Sequence, residues 1–280
     1  MQYKNRYNLP EPLVSVVEND TYTAGDSNIS TTSLVLPPRI VQLTKRHGHK
    51  IYEDVSDNIY KLIGSNTHYI LERIKTPNCI KEKRYYTEVW GWRIGGKIDL
   101  YEEIPKILSD YKITSVWAVL AGIKPEHEQQ LNINSYLMTV NGIRPEKLQV
   151  VNFLRDWSKH KAKEHNYPSC QVVVQDIPLW SLEKSQAWIE DRVRLHQEAE
   201  NTPDDALLPC SFDERWEKVT QWAVMGKNRK SAFRLLNTEV EAQAWMEANK
   251  GDYIEERKGE AVRCLSYCSC NVVCSVYLGI

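Results

Sequence analysis

No apolar run in the chain approaches the roughly 18 to 20 residues that a membrane span requires, and residues 1–10 have neither the basic stretch nor the apolar core of a secretory signal. These absences predict a soluble protein in a reducing, cytoplasmic setting, where the seven cysteines are not expected to pair as disulfides. An excess of charge of one sign is missing too. With 36 Lys and Arg against 37 Asp and Glu, the formal net charge is -1, which argues against a protein that coats nucleic acid through a global positive field. An enzyme is less constrained, because carboxylates can gather metal while basic side chains line one groove. There is no internal repeat. The composition, 42% hydrophobic and 26% charged over 280 residues, is that of a globular chain long enough for one large domain or one domain with an appended module.

Residues 1–38 mix Pro, Asn, Asp, Ser and Thr without periodicity and read as an irregular, poorly ordered N-terminal arm. In residues 41–74 apolar side chains recur at helical spacing, with Ile59, Leu62 and Ile63, then Ile70, Leu71 and Ile74. Gly64-Ser65-Asn66 stands between them, so two helices or one interrupted helix fit. Aromatic and β-branched residues dominate 84–100, which predicts a hairpin with Gly95-Gly96 as its turn and Asp99 on its second strand. Residues 106–113 are mixed, and 116–120 are rich in strand formers. A helix opening with acidic residues is expected over 125–140, strands over 148–154 and 171–177, and an amphipathic helix over 182–200. Residues 39–202 then form the core and 203–280 a C-terminal module. In that module Trp216 and Trp222 lie in a helical stretch, Lys227, Arg229, Lys230 and Arg234 form the densest basic cluster, a helix covers 240–248, and cysteines crowd the end.

The chemistry centres on Gly96-Lys97-Ile98-Asp99 and, after a short gap, Asp110-Tyr111-Lys112. Two carboxylates on neighbouring strands can share a hard cation, since Mg²⁺ takes oxygen ligands at about 2.0–2.1 Å. Lys112, two residues past Asp110, projects to the same strand face. An ammonium there can orient an attacking water and offset charge on a phosphorane. His68 upstream, in Ile-Gly-Ser-Asn-Thr-His-Tyr-Ile-Leu-Glu, is a further candidate ligand, and Gln130 lies on the helix downstream. The basic cluster around Lys227 suits phosphate contact or a solvated face, and burial is expected for Trp90 and Trp92.

In order and spacing these pieces resemble the RecB-like branch of the PD-(D/E)XK nucleases, whose motifs run G-x-x-x-H-x-x-L-E, G-x-x-D, (D/E)-x-K and Q-x-x-x-Y. Gly64, His68, Leu71 and Glu72 match the first, Gly96 and Asp99 the second, Asp110 and Lys112 the third. The fourth keeps Gln130 but has Asn134 where the pattern has Tyr, with Tyr136 two residues on. The resemblance covers residues 63–136 at motif level, and Leu154-Arg155-Asp156-Trp157, Tyr167-Pro168 and Pro178-Leu179-Trp180 look like phage members. It implies an α/β fold with a restriction-endonuclease-like core, a mixed central sheet flanked by helices, and a helical, metal-stapled C-terminal module. It also implies Mg²⁺ or Mn²⁺ on His68, Asp99 and Asp110, with Lys112 and Gln130 assisting. The expected activity is deoxyribonuclease action on DNA ends or single strands, in phage or host recombination or repair inside a bacterial or archaeal cell. A DNA-end binder that keeps the fold without catalysis is the alternative, because of Asn134.

Cys264, Cys268, Cys270 and Cys274 lie so close together that they read as a soft-metal site, either an iron–sulfur cluster or tetrahedral zinc. Relatives with a 4Fe–4S cluster use three C-terminal cysteines and a remote one. By that resemblance the ligands are Cys264, Cys268 and Cys274 with Cys210, and Cys270 keeps an all-local zinc site open. Cys79 and Cys170 read as structural or incidental.

Overall fold

The computed structural model describes residues 2–19 and 23–279. In chain order the elements around the site are β1 (Ile29–Ser30), α1 (Thr31–Val35), α2 (Pro38–His47), α3 (Ile59–Arg73), β2 (Cys79–Lys81), β3 (Arg84–Val89), β4 (Trp92–Lys97), β5 (Leu100–Glu102), β6 (Ile107–Thr114), α4 (Val116–Leu120), α5 (Pro125–Val140), β7 (Lys147–Leu154), β8 (Val172–Ile177) and α6 (Leu182–Glu200). Five strands form a mixed sheet in the order β8-β7-β6-β5-β2. Strands β6 and β7 run parallel and the other neighbours antiparallel. A parallel pair needs a crossover, and α5 supplies it. A second sheet has the order β1-β4-β3. The main core joins Leu108, Leu148 and Val150 of the large sheet to Tyr85 and Ile94 of the small one, Leu131, Leu137 and Met138 of α5, and Ile189 and Val193 of α6.

Several sequence expectations change here, each for a local reason. The stretch read as an irregular arm supplies Ile29 and Leu34 to that core. Its helix α1 is capped by Ser30, whose Oγ accepts the Ser33 N–H, but five residues are too few to show a period. The 84–100 hairpin turns at Trp90-Gly91, both at positive φ, as a tight two-residue connection requires. Gly95 and Gly96 lie within β4 instead. A Cβ at Gly96 would collide with Asn134 Oδ1 and come within 2.7 Å of Leu137 and Thr31, so glycine is needed for close approach of strand and helix. Residues 116–120 are helical because Ser115 Oγ caps the Ala118 N–H at 3.2 Å, overriding strand propensity. Residues 59–73 form one continuous helix through Gly64-Ser65-Asn66.

The C-terminal module is not helical in the main. Trp222 lies on β9 (Gln221–Met225), the centre of an antiparallel sheet with β10 (Arg234–Leu236) and β11 (Tyr253–Arg257), against which α7 (Glu239–Ala248) packs. Lys227, Arg229 and Lys230 occupy the exposed link between β9 and β10. A second core cluster joins Leu43 of α2 and Ala199 of α6 to Leu207 and the buried Cys270, with Cys268 and Cys274 packed beside it.

Candidate functional site

The chain changes sheets at Ile98-Asp99: β4 belongs to the small sheet and β5 to the large one. Asp99 therefore lies on the link between strands rather than on the second strand of the hairpin. The β5–β6 ladder pairs Leu100 with Ser109, and the next step of that antiparallel register sets Asp99 opposite Asp110. Asp99 Oδ2 accepts the Tyr111 N–H at 2.7 Å, taking the donor that the ended ladder leaves free. On β6, Lys112 Nζ lies 2.7 Å from Asp110 Oδ2, the period-two neighbour. From the crossover helix, Gln130 Nε2 donates to Asp110 Oδ1 at 3.3 Å. From α3, His68 Nδ1 lies 2.9 Å from Glu82 Oε1 and 3.6 Å from Asp99 Oδ1, and its ring meets Tyr111 edge-on at 5.8 Å. Thus His68, Asp99, Asp110, Lys112 and Gln130 converge.

Glu82 is the residue that sequence reasoning missed. It sits between β2 and β3 at φ 49, its N–H donates to the Asp99 carbonyl at 3.2 Å, and its Oε2 pairs with Lys97 at 2.5 Å. Nothing in its local pattern marks it. His127, on the first turn of α5 near Lys112, carries no sequence signal either; burial and the Lys112 charge hold it near 4. The motif matches that do not converge are Glu72, which is exposed, Tyr136, which lines a separate pocket with Arg144 and Trp180, and Asn134, which is buried against Gly96.

The charges explain one another. Burial and the facing Asp110 push the Asp99 carboxyl up to about 7, as expected for carboxylates sharing a site. Burial also works against ionised Glu82, but hydrogen bonds from His68 and Lys97 outweigh it and hold the group below its usual value. The Glu82 contact raises His68. Burial opposes a charged Lys112, yet Asp110 and Asp99 keep it above its usual value and hence an ammonium. The donor set suits a hard or borderline divalent ion. Ligand atoms of His68, Glu82 and Asp99 lie within 4.8 Å of one another, and ligands at about 2.1 Å around one octahedral centre stand about 3 Å apart when adjacent. Asp110 lies outside that group of three. Among the described residues its buried Oδ2 has no aligned hydrogen bond and has the Lys112 ion pair beside it, which leaves lone-pair capacity for a cation.

No family model and no curated protein matches the chain. Among solved structures it is similar to the crystal structure of SSO0001, at 20% identity and a TM-score of 0.44 over 68% of this chain and 86% of that one. It is also similar to an Eubacterium rectale protein provisionally named an exonuclease, at 10% identity and a TM-score of 0.33 over 51% of this chain and 52% of that one.

A second cluster lies at the junction of core and C-terminal module. Cys210, Cys264, Cys268, Cys270 and Cys274 line one pocket with Arg39, Arg215 and Arg263. The remote cysteine and the terminal ones therefore meet. Arg39, buried on α2, donates from Nε to Cys274 Sγ at 3.3 Å, from Nη1 to the Leu207 carbonyl at 2.5 Å and from Nη2 to Ser275 Oγ at 2.8 Å. Burial pushes the Cys210 thiol up to about 12, whereas the hydrogen bond with Cys270 lowers Cys268 to about 6. Such a set loads metal by releasing protons. Cys79 and Cys170 lie elsewhere.

Proposed function

We propose that this protein is a Mg²⁺- or Mn²⁺-dependent DNA nuclease of the PD-(D/E)XK type, acting on DNA ends. The observation that carries the reading is the arrangement at the sheet switch: Asp99 faces Asp110, and Lys112 projects from the same strand face as Asp110 at 2.7 Å. His68, Glu82, Asp99 and Asp110 would hold the ion. When bound, a divalent ion supplies Lewis-acid polarisation of a phosphoryl oxygen. The chain's own residues do the rest. Lys112, kept as an ammonium by Asp110 and Asp99, orients the attacking water and offsets the negative charge that builds on the phosphorane oxygens. Gln130 fixes the Asp110 carboxylate, and the Tyr111 N–H fixes that of Asp99.

The same proposal places a 4Fe–4S cluster on Cys210, Cys264, Cys268 and Cys274, with zinc as the competing occupant. What supports a metal there is the donor set together with three arginines, which offset the negative charge that four thiolates leave. Its part is to staple the terminal cysteines to the stretch after α6 that carries Cys210, closing a long loop.

The test is degradation of end-labelled linear DNA against closed circular DNA, wild type beside Lys112→Ala, in Mg²⁺, Mn²⁺ and EDTA. Loss of linear DNA alone, by wild type with metal only, is the expected result. Cutting of circles makes the enzyme an endonuclease. Metal-independent cutting, or an active Lys112→Ala, defeats the assignment.

A further inference from the structure

Strands β6 and β7 are parallel, so both end on one side of the molecule, with Thr114 beside Leu154. In open α/β sheets ligands approach at such carboxyl ends. After β6 the chain leaves large apolar side chains in solvent: Trp117 is 77% exposed and Leu120 55%. After β7, residues 155–165 present Arg155, Lys159, Lys161 and Lys163, all exposed, with His160 and His165 among them. Their acidic companions are Asp156 and Glu164. Asp156 has a structural task, since its Oδ1 accepts the Val116 N–H at 2.7 Å and ties this segment to α4.

The basic segment is braced. The Arg155 N–H donates to the Thr114 carbonyl at 2.9 Å, Trp157 Nε1 donates to the Pro168 carbonyl at 2.8 Å, and Tyr167 Oη accepts the Ser158 N–H at 2.8 Å. The Arg155 guanidinium stacks over the half-exposed Tyr60 ring of α3 at 4.1 Å. Lys124, exposed, stands at the entry to α5. On a chain of net charge -1 these exposed cations make a local basic surface beside the ends of β6 and β7. That surface adjoins the catalytic candidates, because Lys112 lies two residues before Thr114, about 7 Å along a strand.

We propose that this rim, Trp117 flanked by Arg155, Lys159, Lys161 and Lys163, is the track for one unpaired DNA strand, so that a single strand is the form of substrate delivered to Asp110 and Lys112. The proposal rests on the nuclease reading for what happens at the end of the track. An aromatic ring needs a free base face to stack on, which a duplex does not offer, while ammonium groups meet phosphates of any sequence. An apolar protein partner would match Trp117 and Leu120 but would leave four cations without a counterpart. The basic cluster at Lys227, Arg229 and Lys230 lacks this link to the site, since it lies on the sheet of the C-terminal module.

The experiment is fluorescence anisotropy of the full chain with a labelled single-stranded oligonucleotide of about 20 nucleotides, several times the shortest such sites, and with the matching duplex. EDTA is present, so cleavage does not enter. The single strand should bind the more tightly. Trp117→Ala should weaken single-strand binding at least about 5-fold, the loss of one stacked base, with partial rescue by Trp117→Phe. The triple change of Lys159, Lys161 and Lys163 to Ala should flatten the log–log salt dependence by about 2, near 0.7 for each phosphate no longer neutralised. These side chains are exposed, so melting temperatures should not move. Equal affinity in all variants, or preference for duplex, overturns the proposal. So does sedimentation showing that Trp117→Ala dissociates a self-assembled protein, which would make the rim a protein interface. The readouts separate from catalysis: single-strand binding that depends on the rim, with no metal-dependent cleavage, leaves the track standing and removes the nuclease, whereas cleavage by variants that bind as wild type removes only the track.

Discussion

Truncating Lys112 removes an ammonium whose main neighbour is Asp110, at the edge of the core rather than within it. Lys112→Ala is therefore expected to fold and bind DNA while losing on the order of 10² to 10³ in turnover, the usual effect of removing one group that stabilises the transition state; single-turnover kinetics on labelled linear DNA checks it. Glu82→Gln keeps the shape but takes the charge from a carboxylate held by His68 and Lys97. Calorimetric titration with Mn²⁺ should show affinity falling about 10- to 100-fold, and an unchanged isotherm would leave Glu82 outside the metal site. The contrast between these residues shows what a sequence can carry. Asp110 and Lys112 are legible because a strand repeats every two residues, so their spacing alone puts them on one face. Glu82 has no such signature, since its place beside His68 depends on how α3 lies against the link from β2 to β3.

Among the elements, α6 and α5 are legible because many residues keep a period or an opening signal, whereas α1 and α4, at five residues each, are not. His196 tests the packing of α6 on α1. It is fully buried, its Nε2 lies 3.3 Å from the Leu34 carbonyl, and burial followed by the Arg192 charge lowers it to about 4. A histidine lowered in the folded state binds its proton more readily when unfolded. Its neutral form thus supports the fold fully above about 6.5, and that support drains away as pH falls toward 4, by on the order of 3 kcal/mol in all. Urea unfolding at several pH values should show this slope, and His196→Gln should flatten it. If the slope persists in the variant, other groups carry the acid sensitivity.

Taken whole, the molecule is tied together where Leu43, Ala199, Leu207 and Cys270 pack and where Arg39 reaches Cys274 across 235 residues of chain. For the proposed metal on the cysteines, Cys210→Ser is expected to lower the metal content of the purified protein and its melting temperature, because a metal held only by the folded form adds its binding energy to stability. Analysis of the purified wild type for iron, sulfide and zinc distinguishes the occupants: iron and sulfide in equal amounts support a cluster, one zinc per chain replaces it, and neither removes the staple. The basic cluster around Lys227 and the crowded terminal cysteines stand out from composition alone. The rim at Trp117 and Lys159 does not, since its parts come from two segments that meet only because β6 and β7 run parallel.

By itself the sequence determined what repeats or recurs over short distances: the long helices, the strands β3, β4, β7 and β8, the Asp110–Lys112 face, the ordered motif from His68 to Gln130 and the density of thiols at the end. Tertiary structure alone decided that Gly95 and Gly96 lie in a strand against Asn134, that the chain switches sheets at Asp99, and that Glu82 joins His68. The division has a physical origin. Backbone geometry imposes periods of two and 3.6 residues that a chain must display locally, whereas contacts between distant segments follow from the packing of many side chains at once and leave no local mark.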